Sequence, residues 1–366
     1  MRDRRMPLPA RSRCDAQRRV RVQFLKNAWY MAAWSQDLGV GKLLSRTIIE
    51  VPVVLYRSND GVAHALMDRC PHRFAPLSRG ELNDRGIACG YHGLEFDHDG
   101  VCIRNPHPSG KIPKRAHVNA YPVVERDTIA WIWMGDRDPD EDLIPDYSIL
   151  TKSNGVTRRD YLLMDASFDL IVDNLLDCSH TSFLHKGVLG TEGMIAAPTR
   201  IEQTGDTLNV IRTIGNVEPP AMLDMQYKQN GEPVDTWTDF RWDVPSSLLL
   251  DVGVTEPDAP RERGTGYFGV HILTPETTTT THYHTSAARW NIRPGSETEE
   301  VRDLIADMRK FAFEEEDEPM IQAQQRVITL TGASEGDQVM LETDIGIVRW
   351  RRIMDRLLHE EDTAHA

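Results

Sequence analysis

The chain has 366 residues, room for two ordinary domains, and its 56 Asp and Glu against 42 Lys and Arg leave a formal charge of −14. That balance argues against a nucleic-acid partner, and no apolar run approaches the roughly 18–20 residues of a membrane helix or forms the apolar centre of a secretory signal. The five cysteines, Cys14, Cys70, Cys89, Cys102 and Cys178, are scattered and odd in number, as in a reducing compartment where thiols are buried or hold metal; a cytoplasmic protein with no membrane attachment is expected.

Residues 1–23 carry eight arginines and no apolar period before Phe24, so they read as an Arg-rich tail, with Asp3 and Asp15 arguing against a transit peptide. Residues 24–137 alternate short β-rich runs (47–56, 87–89, 129–134) with turn residues, which predicts a small all-β domain. The acidic, proline-broken stretch 136–145 marks a linker over 138–156. Residues 157–366 then show a helical pattern over 168–185, strand-like runs at 207–214, 247–255, 267–274 and 278–290, and a second helical pattern from Thr298. That order predicts an α+β domain built on an antiparallel sheet flanked by helices. The Thr-rich 277–281 falls inside the last strand run. Gly264, Gly266 and Gly269 match the spacing of a dinucleotide loop but lead into a strand pattern and not a helix, so they read as a turn between strands.

Two constellations carry chemistry. Cys70-Pro71-His72 and Cys89-Gly90-Tyr91-His92 present two loops, each with one thiol and one imidazole. Two cysteines on one iron and two histidines on the other is the ligand set of a Rieske [2Fe–2S] cluster. Zinc accepts the same residues, but zinc fingers pair Cys with Cys and His with His in sequence, and here each loop is mixed. Cys14, Cys102 and Cys178, like His98, His107 and His117, lack ligand spacing. The second constellation is His180 and His185 at the end of a helical pattern, with Asp177 one turn before His180 on the same face. With a carboxylate from elsewhere they would make the two-histidine, one-carboxylate set of mononuclear Fe(II) oxygenases, which leaves positions open for O2. The acids at 314–318 are the densest source, and position alone does not choose among them. Helical spacing puts Phe313, Met320 and Gln324 on the side of Asp317, and Pro319 should kink or restart the helix there.

Together the two sets resemble the Rieske non-haem iron oxygenases. The stretches CPHRFAPLS (70–78), GYHGLEFD (90–97), DNLLDCSH (173–180) and LTPET (273–277) are most similar to the vanillate O-demethylase oxygenase branch. The resemblance implies an N-terminal Rieske domain, a catalytic domain of helix-grip type and a head-to-tail homotrimer. It implies that Asp317 is the third iron ligand and that Asp177 is the bridging acid, accepting from His180 in its own chain and from His92 of a neighbour. The activity implied is that of a terminal monooxygenase hydroxylating the methyl carbon of an aryl methyl ether, with O2 as co-substrate and electrons from a separate NAD(P)H-dependent reductase or ferredoxin. The hemiacetal would collapse to a phenol and formaldehyde. N-demethylation, methyl hydroxylation and ring dihydroxylation remain alternatives, since substrate choice lies in pocket side chains; a non-catalytic electron carrier would need neither residues 168–185 nor Asp317. His271, just before LTPET, is a candidate for touching the aromatic substrate; His282 and His284 share one face of their strand and read as core or surface residues.

Overall fold

The computed structural model describes residues 24–364; the Arg-rich tail and Cys14 lie outside the described residues. The N-terminal part is all-β: β1 (Trp29–Trp34), β2 (Leu43–Ile48), β3 (Val51–Arg57), β4 (Ala63–Met67), β5 (Glu81–Asn83), β6 (Gly86–Ala88), β7 (Glu95–Phe96), β8 (Cys102–Arg104), β9 (Ala120–Tyr121), β10 (Val123–Arg126) and β11 (Ile129–Trp133). They form antiparallel sheets in the orders β1-β11-β10, β2-β3-β4-β9 and β5-β6-β7-β8. The run 47–56, expected as one strand, is the β2–β3 hairpin, turned at Ile49 and Glu50 with φ of 44° and 65°. Such two-residue turns normally use Asn or Gly. Here Ile49 N–H donates to Pro275 O at 2.8 Å and Glu50 N–H to Glu276 O at 2.9 Å, so contacts with the other domain hold the turn.

The second part is built on a seven-stranded antiparallel sheet. Its strands are β12 (Asp160–Met164), β13 (Thr199–Thr204), β14 (Thr207–Val217), β15 (Val234–Asp243), β16 (Ser247–Thr255), β17 (Thr265–Thr277) and β18 (Thr280–Trp290), in the order β12-β18-β17-β16-β15-β14-β13. The helices are α1 (Ile149–Lys152), α2 (Phe168–Leu176), α3 (Ala221–Asp224), α4 (Glu299–Phe311), α5 (Glu318–Thr331) and α6 (Ile345–Ala364). The α+β expectation holds, and 247–255 is strand β16 as read. Two local expectations fail. Gly266 and Gly269 lie within β17, not in a turn, and the threonine run is broken by the β17–β18 turn at Thr278 and Thr279, Thr277 Oγ1 bonding Thr280 Oγ1 across it at 2.6 Å.

Strand β17 is buried on both faces, which explains its near-continuous apolar run. Val270 and Ile272 pack on Trp29, Met31, Trp34, Trp131 and Trp133 of the first part, joined by Ile144, Tyr147 and Leu150. The 138–156 segment is therefore packed into this interface, with Tyr147 Oη donating to Leu248 O at 3.1 Å. Burying an aromatic side chain stabilises by roughly 1.5–3 kcal/mol against about 1 kcal/mol for a hydrogen bond, so the tryptophans dominate this contact. The opposite face of β17 carries Tyr267 and His271 and floors a cavity.

Candidate active site

Helix α2 ends at Leu176, nine residues before the end of the pattern read in the sequence. Asp177 N–H still bonds Asp173 O at 2.9 Å, but the Asp177 carboxylate accepts Ser179 N–H at 3.0 Å and the Ser179 hydroxyl. An Asp side chain that captures the backbone two residues on makes a turn in competition with the helix. The chain leaves the helix axis, and His180 opens a short 3-10 turn. Asp177 and His180 therefore share no helix face, and His180 Nδ1 donates to the Asp177 carbonyl oxygen, not to its carboxylate.

The third ligand comes from the α4–α5 junction. Thr298 caps α4, its hydroxyl accepting Val301 N–H at 3.4 Å. Between α4 and α5 lies a π-helical turn, Ala312–Asp317, in which Glu318 N–H reaches Phe313 O. Pro319, in the first turn of α5, has no N–H to give the regular ladder, and the widened turn swings Phe313 and Asp317 inward. Among the acids at 314–318 Asp317 is the buried one, 2 % exposed. Met320 and Gln324, expected beside it, instead line a groove with Asp177, Asn174 and His180.

His185 Nε2 lies 3.2 Å and His180 Nε2 3.6 Å from Asp317 Oδ1, and one ligand atom from each of the three sits within 4.8 Å of the others. Cis ligands on an octahedral ion with bonds of ~2.1 Å stand about 3 Å apart, so the set fits one metal ion. The other ring nitrogens are engaged: His185 Nδ1 meets Glu316 Oε2 at 2.7 Å and His180 Nδ1 the Asp177 carbonyl. Donation from Nδ1 leaves each Nε2 lone pair for metal. Asn174 Nδ2 donates to Asp317 Oδ1 at 3.0 Å and aims the carboxylate. Burial would pull His185 below the ordinary imidazole range, yet Asp317 and Glu316 together hold it above, so this pocket favours a cation.

The triad opens into a cavity of about 70 Å³, walled by Leu223, Phe240, Leu250, Val252 and Phe313. His271 lines it and is buried, its Nδ1 bonding Tyr283 Oη at 2.7 Å. Burial, and then the neighbouring Arg309, push His271 well below the usual range and keep it neutral. Gly269 makes room for it: a Cβ there would stand 2.9 Å from His271 Nε2. His282 and His284 occupy the other face, His282 bonding Tyr161 Oη and Thr47 O at 2.9 Å each and His284 packing on Trp34.

In the N-terminal part the loops after β4 and between β6 and β7 close on themselves, Phe74 N–H donating to Cys70 O and Gly93 N–H to Cys89 O, both at 2.9 Å. A Cβ on Gly90 would fall 2.5 Å from Arg79 O, so the loops meet only around glycine. Cys70 and Cys89 are buried side by side, burial pushing the Cys70 thiol up to about 11, while the His72 and His92 rings lie 4.4 Å apart. Among the described residues only the His180, His185 and Asp317 group converges within 4.8 Å. Two buried thiols side by side and two neighbouring imidazoles suit the two irons of one cluster.

Residues 28–122 match the Rieske [2Fe-2S] domain family and residues 164–360 the vanillate O-demethylase oxygenase C-terminal domain family. The chain is a Rieske non-haem iron oxygenase. It is similar to the oxygenase component of dicamba O-demethylase from Stenotrophomonas maltophilia, 35 % identical over 92 % of this chain and 98 % of that protein. It is also similar to the vanillate O-demethylase oxygenase subunit of Pseudomonas sp. (strain HR199 / DSM 7063), 34 % identical over 93 % and 97 %. The crystal structure of dicamba monooxygenase bound to 3,6-dichlorosalicylic acid superposes with a TM-score of 0.83 at 34 % identity, covering 93 % of this chain and 99 % of that one. This terminal oxygenase thus carries a Rieske domain and a mononuclear iron site at His180, His185 and Asp317. No helix among the described residues is long and apolar enough to cross a membrane.

Sequence reading missed the supporting residues Asn174, Glu316, Tyr283 and Arg309. Arg309 left a signal, a charge four residues after Ile305 on the apolar stripe of α4. Glu316 left none, since its role follows from the π-turn.

Proposed function

We propose that this oxygenase removes the methyl group from a methoxylated aromatic acid, vanillate being one example, and releases a phenol and formaldehyde. Electrons would come from a separate NAD(P)H-dependent reductase or ferredoxin. The observation that supports this reading most is the apolar cavity with the iron triad at one end and neutral His271 in its wall. Similarity to two O-demethylase oxygenases supports the same choice.

Cys70 and Cys89 would hold one iron of the cluster and His72 and His92 the other; His180, His185 and Asp317 would hold Fe(II). When bound, the cluster and the iron supply one-electron transfer and O2 activation. The chain does the rest. Glu316 and the Asp177 carbonyl fix both ligand imidazoles in the Nε2-ligating tautomer. Leu250, Val252 and Phe313 keep water from the reacting methyl group, and His271, anchored through Nδ1 by Tyr283, offers Nε2 to a substrate oxygen.

The assembly proposed is a head-to-tail homotrimer in which His92 of one subunit meets Asp177 of the next. Within one chain, no hydrogen bond or ring contact among the described residues links His72 or His92 to Asp177 or the triad. Both sides present apolar surface: Phe74 and Tyr91 beside the cluster loops are 68 % and 65 % exposed, and Val339 in the groove with Asp177 is 86 % exposed.

The test is oxygen uptake, formaldehyde and phenol formation from methoxybenzoates with a surrogate reductase. Formaldehyde matching consumed substrate supports the reading. Diol, benzylic alcohol or N-demethylated products from other aromatics, with none from methoxybenzoates, would replace it.

A further inference from the structure

Arg309 is the one Arg or Lys among the described residues that line the active-site cavity. It is 3 % exposed and yet poorly partnered. Nη1 reaches Thr157 Oγ1 at a long 3.4 Å, and that oxygen already accepts Ala287 N–H at 3.1 Å. Nη2 is buried with no hydrogen-bond partner, and no carboxylate among the described residues forms an ion pair with Arg309.

The other deeply buried arginines differ. Arg289 donates to Gln226 Oε1 at 3.0 Å, to Ser296 Oγ at 2.9 Å and to Ser296 O, and Arg212 donates to the carbonyls of Met194 and Ala197. Their positive charges sit among acceptors that serve the fold. Burial lowers Arg309 from its ordinary range, with Tyr267, Asp160 and Tyr283 opposing, but a guanidinium remains protonated in proteins. A buried, unpaired cation is costly unless an anion meets it, and Arg309 lines the substrate cavity.

Its place on the helix gives the anion a function. Arg309, Phe313 and Asp317 follow at intervals of four residues along α4 and the π-turn, all lining the cavity. Eight residues of helix span roughly 12 Å, so a ring held at Arg309 lies over Phe313 and turns its far side to the iron ligand. We propose that Arg309 pairs with an anionic substituent of the substrate, a carboxylate or sulfonate, and thereby sets which ring position faces the iron. A planar fork of N–H donors matches either oxyanion and rejects a neutral amide of the same size. The inference rests on the demethylation reading only for the identity of the reacting group.

Calorimetric titration of the fully metallated wild type, R309K and R309Q with benzoate, benzenesulfonate and benzamide tests it. The wild type should bind one of the two anions at least about tenfold more tightly than benzamide, and the tighter one identifies the substituent. R309Q should weaken that anion by roughly 10- to 100-fold, as for a lost charge-assisted hydrogen bond, and leave benzamide unchanged; R309K should keep part of the preference. A wild type that binds no anion or has no preference, or an R309Q variant that retains the preference, overturns the proposal. Should R309Q not fold, the wild-type comparison and R309K decide. Formaldehyde from 3-methoxybenzoate separates the two ideas: Arg309-dependent anion binding without formaldehyde sinks the demethylation reading alone, and formaldehyde with Arg309-independent binding sinks this one alone.

Discussion

Replacing Glu316 tests how the iron site is held. Its carboxylate accepts from His185 Nδ1 at 2.7 Å while Asp317 Oδ1 faces Nε2 of the same ring at 3.2 Å. A hydrogen bond to a charged group is worth about 1.5–3 kcal/mol, and Glu316 keeps a quarter of its side chain exposed, 25 %, so the low end applies. Loss of roughly 1.5 kcal/mol of ligand orientation corresponds to about a tenfold drop in iron affinity, at the lower edge of the 10- to 100-fold effects of removing partners behind metal ligands. Glu316→Ala should show that drop, and Glu316→Gln, whose amide oxygen still accepts, only a few-fold one. The assay is Fe(II) binding against a chelator in cluster-loaded protein, with the Rieske signal as an internal standard. Equal affinity in all three proteins would refute the claim that Glu316 fixes His185.

Three further outcomes follow from the packing. Gly269→Ala would place a methyl 2.9 Å from His271 Nε2 and 3.3 Å from Leu250 Cβ; KM should rise several-fold with iron content unchanged, and unchanged KM would deny His271 its substrate role. Glu361→Ala removes the buried acceptor of Lys26 N–H at 2.9 Å, Asn27 N–H at 2.8 Å and Asn27 Nδ2 at 2.6 Å. Stranding those donors should cost about 2–4 kcal/mol and lower the calorimetric melting temperature, whereas an unaltered one would show that the first strand is not tied to α6. Burial pushes the Cys178 thiol up to about 12; a raised pKa keeps the neutral, unreactive form at pH 8, so iodoacetamide should label Cys178 only after denaturation, and labelling of the native protein contradicts its place in the core.

The Rieske domain and the iron-site histidines were legible where the residues that signal them are neighbours in the chain. His180 and His185 are five residues apart, and each cluster loop holds its Cys and His within four residues. Asp317 required distance information that spacing only hinted at, and the inward turn depends on a π-helical residue that no periodicity announces. Strand β15 puts Val234, Phe240 and Trp242 on one face, but it was missed because Asp235, Asp239 and Arg241 alternate with them; those charges, on the other face, are answered by other elements: Asp239 by Arg261 at 2.6 Å, Arg241 by Asp146 O at 2.9 Å. The Ile49–Glu50 turn was invisible for a related reason, since neither residue favours positive φ and the bonds that hold the turn come from β17. Asp177 looked helical because a capping Asp and a helical Asp have the same spacing from His180.

The account stands most directly on metal and acid-labile sulfide analysis of anaerobically prepared wild type and His180→Ala, read with electron paramagnetic resonance after dithionite reduction. The wild type should hold about three irons and two sulfides per chain, and the variant about two irons with the same sulfide, an intact Rieske signal and no turnover. Zinc without labile sulfide in the wild type, or substrate oxidation that survives in His180→Ala, would contradict it.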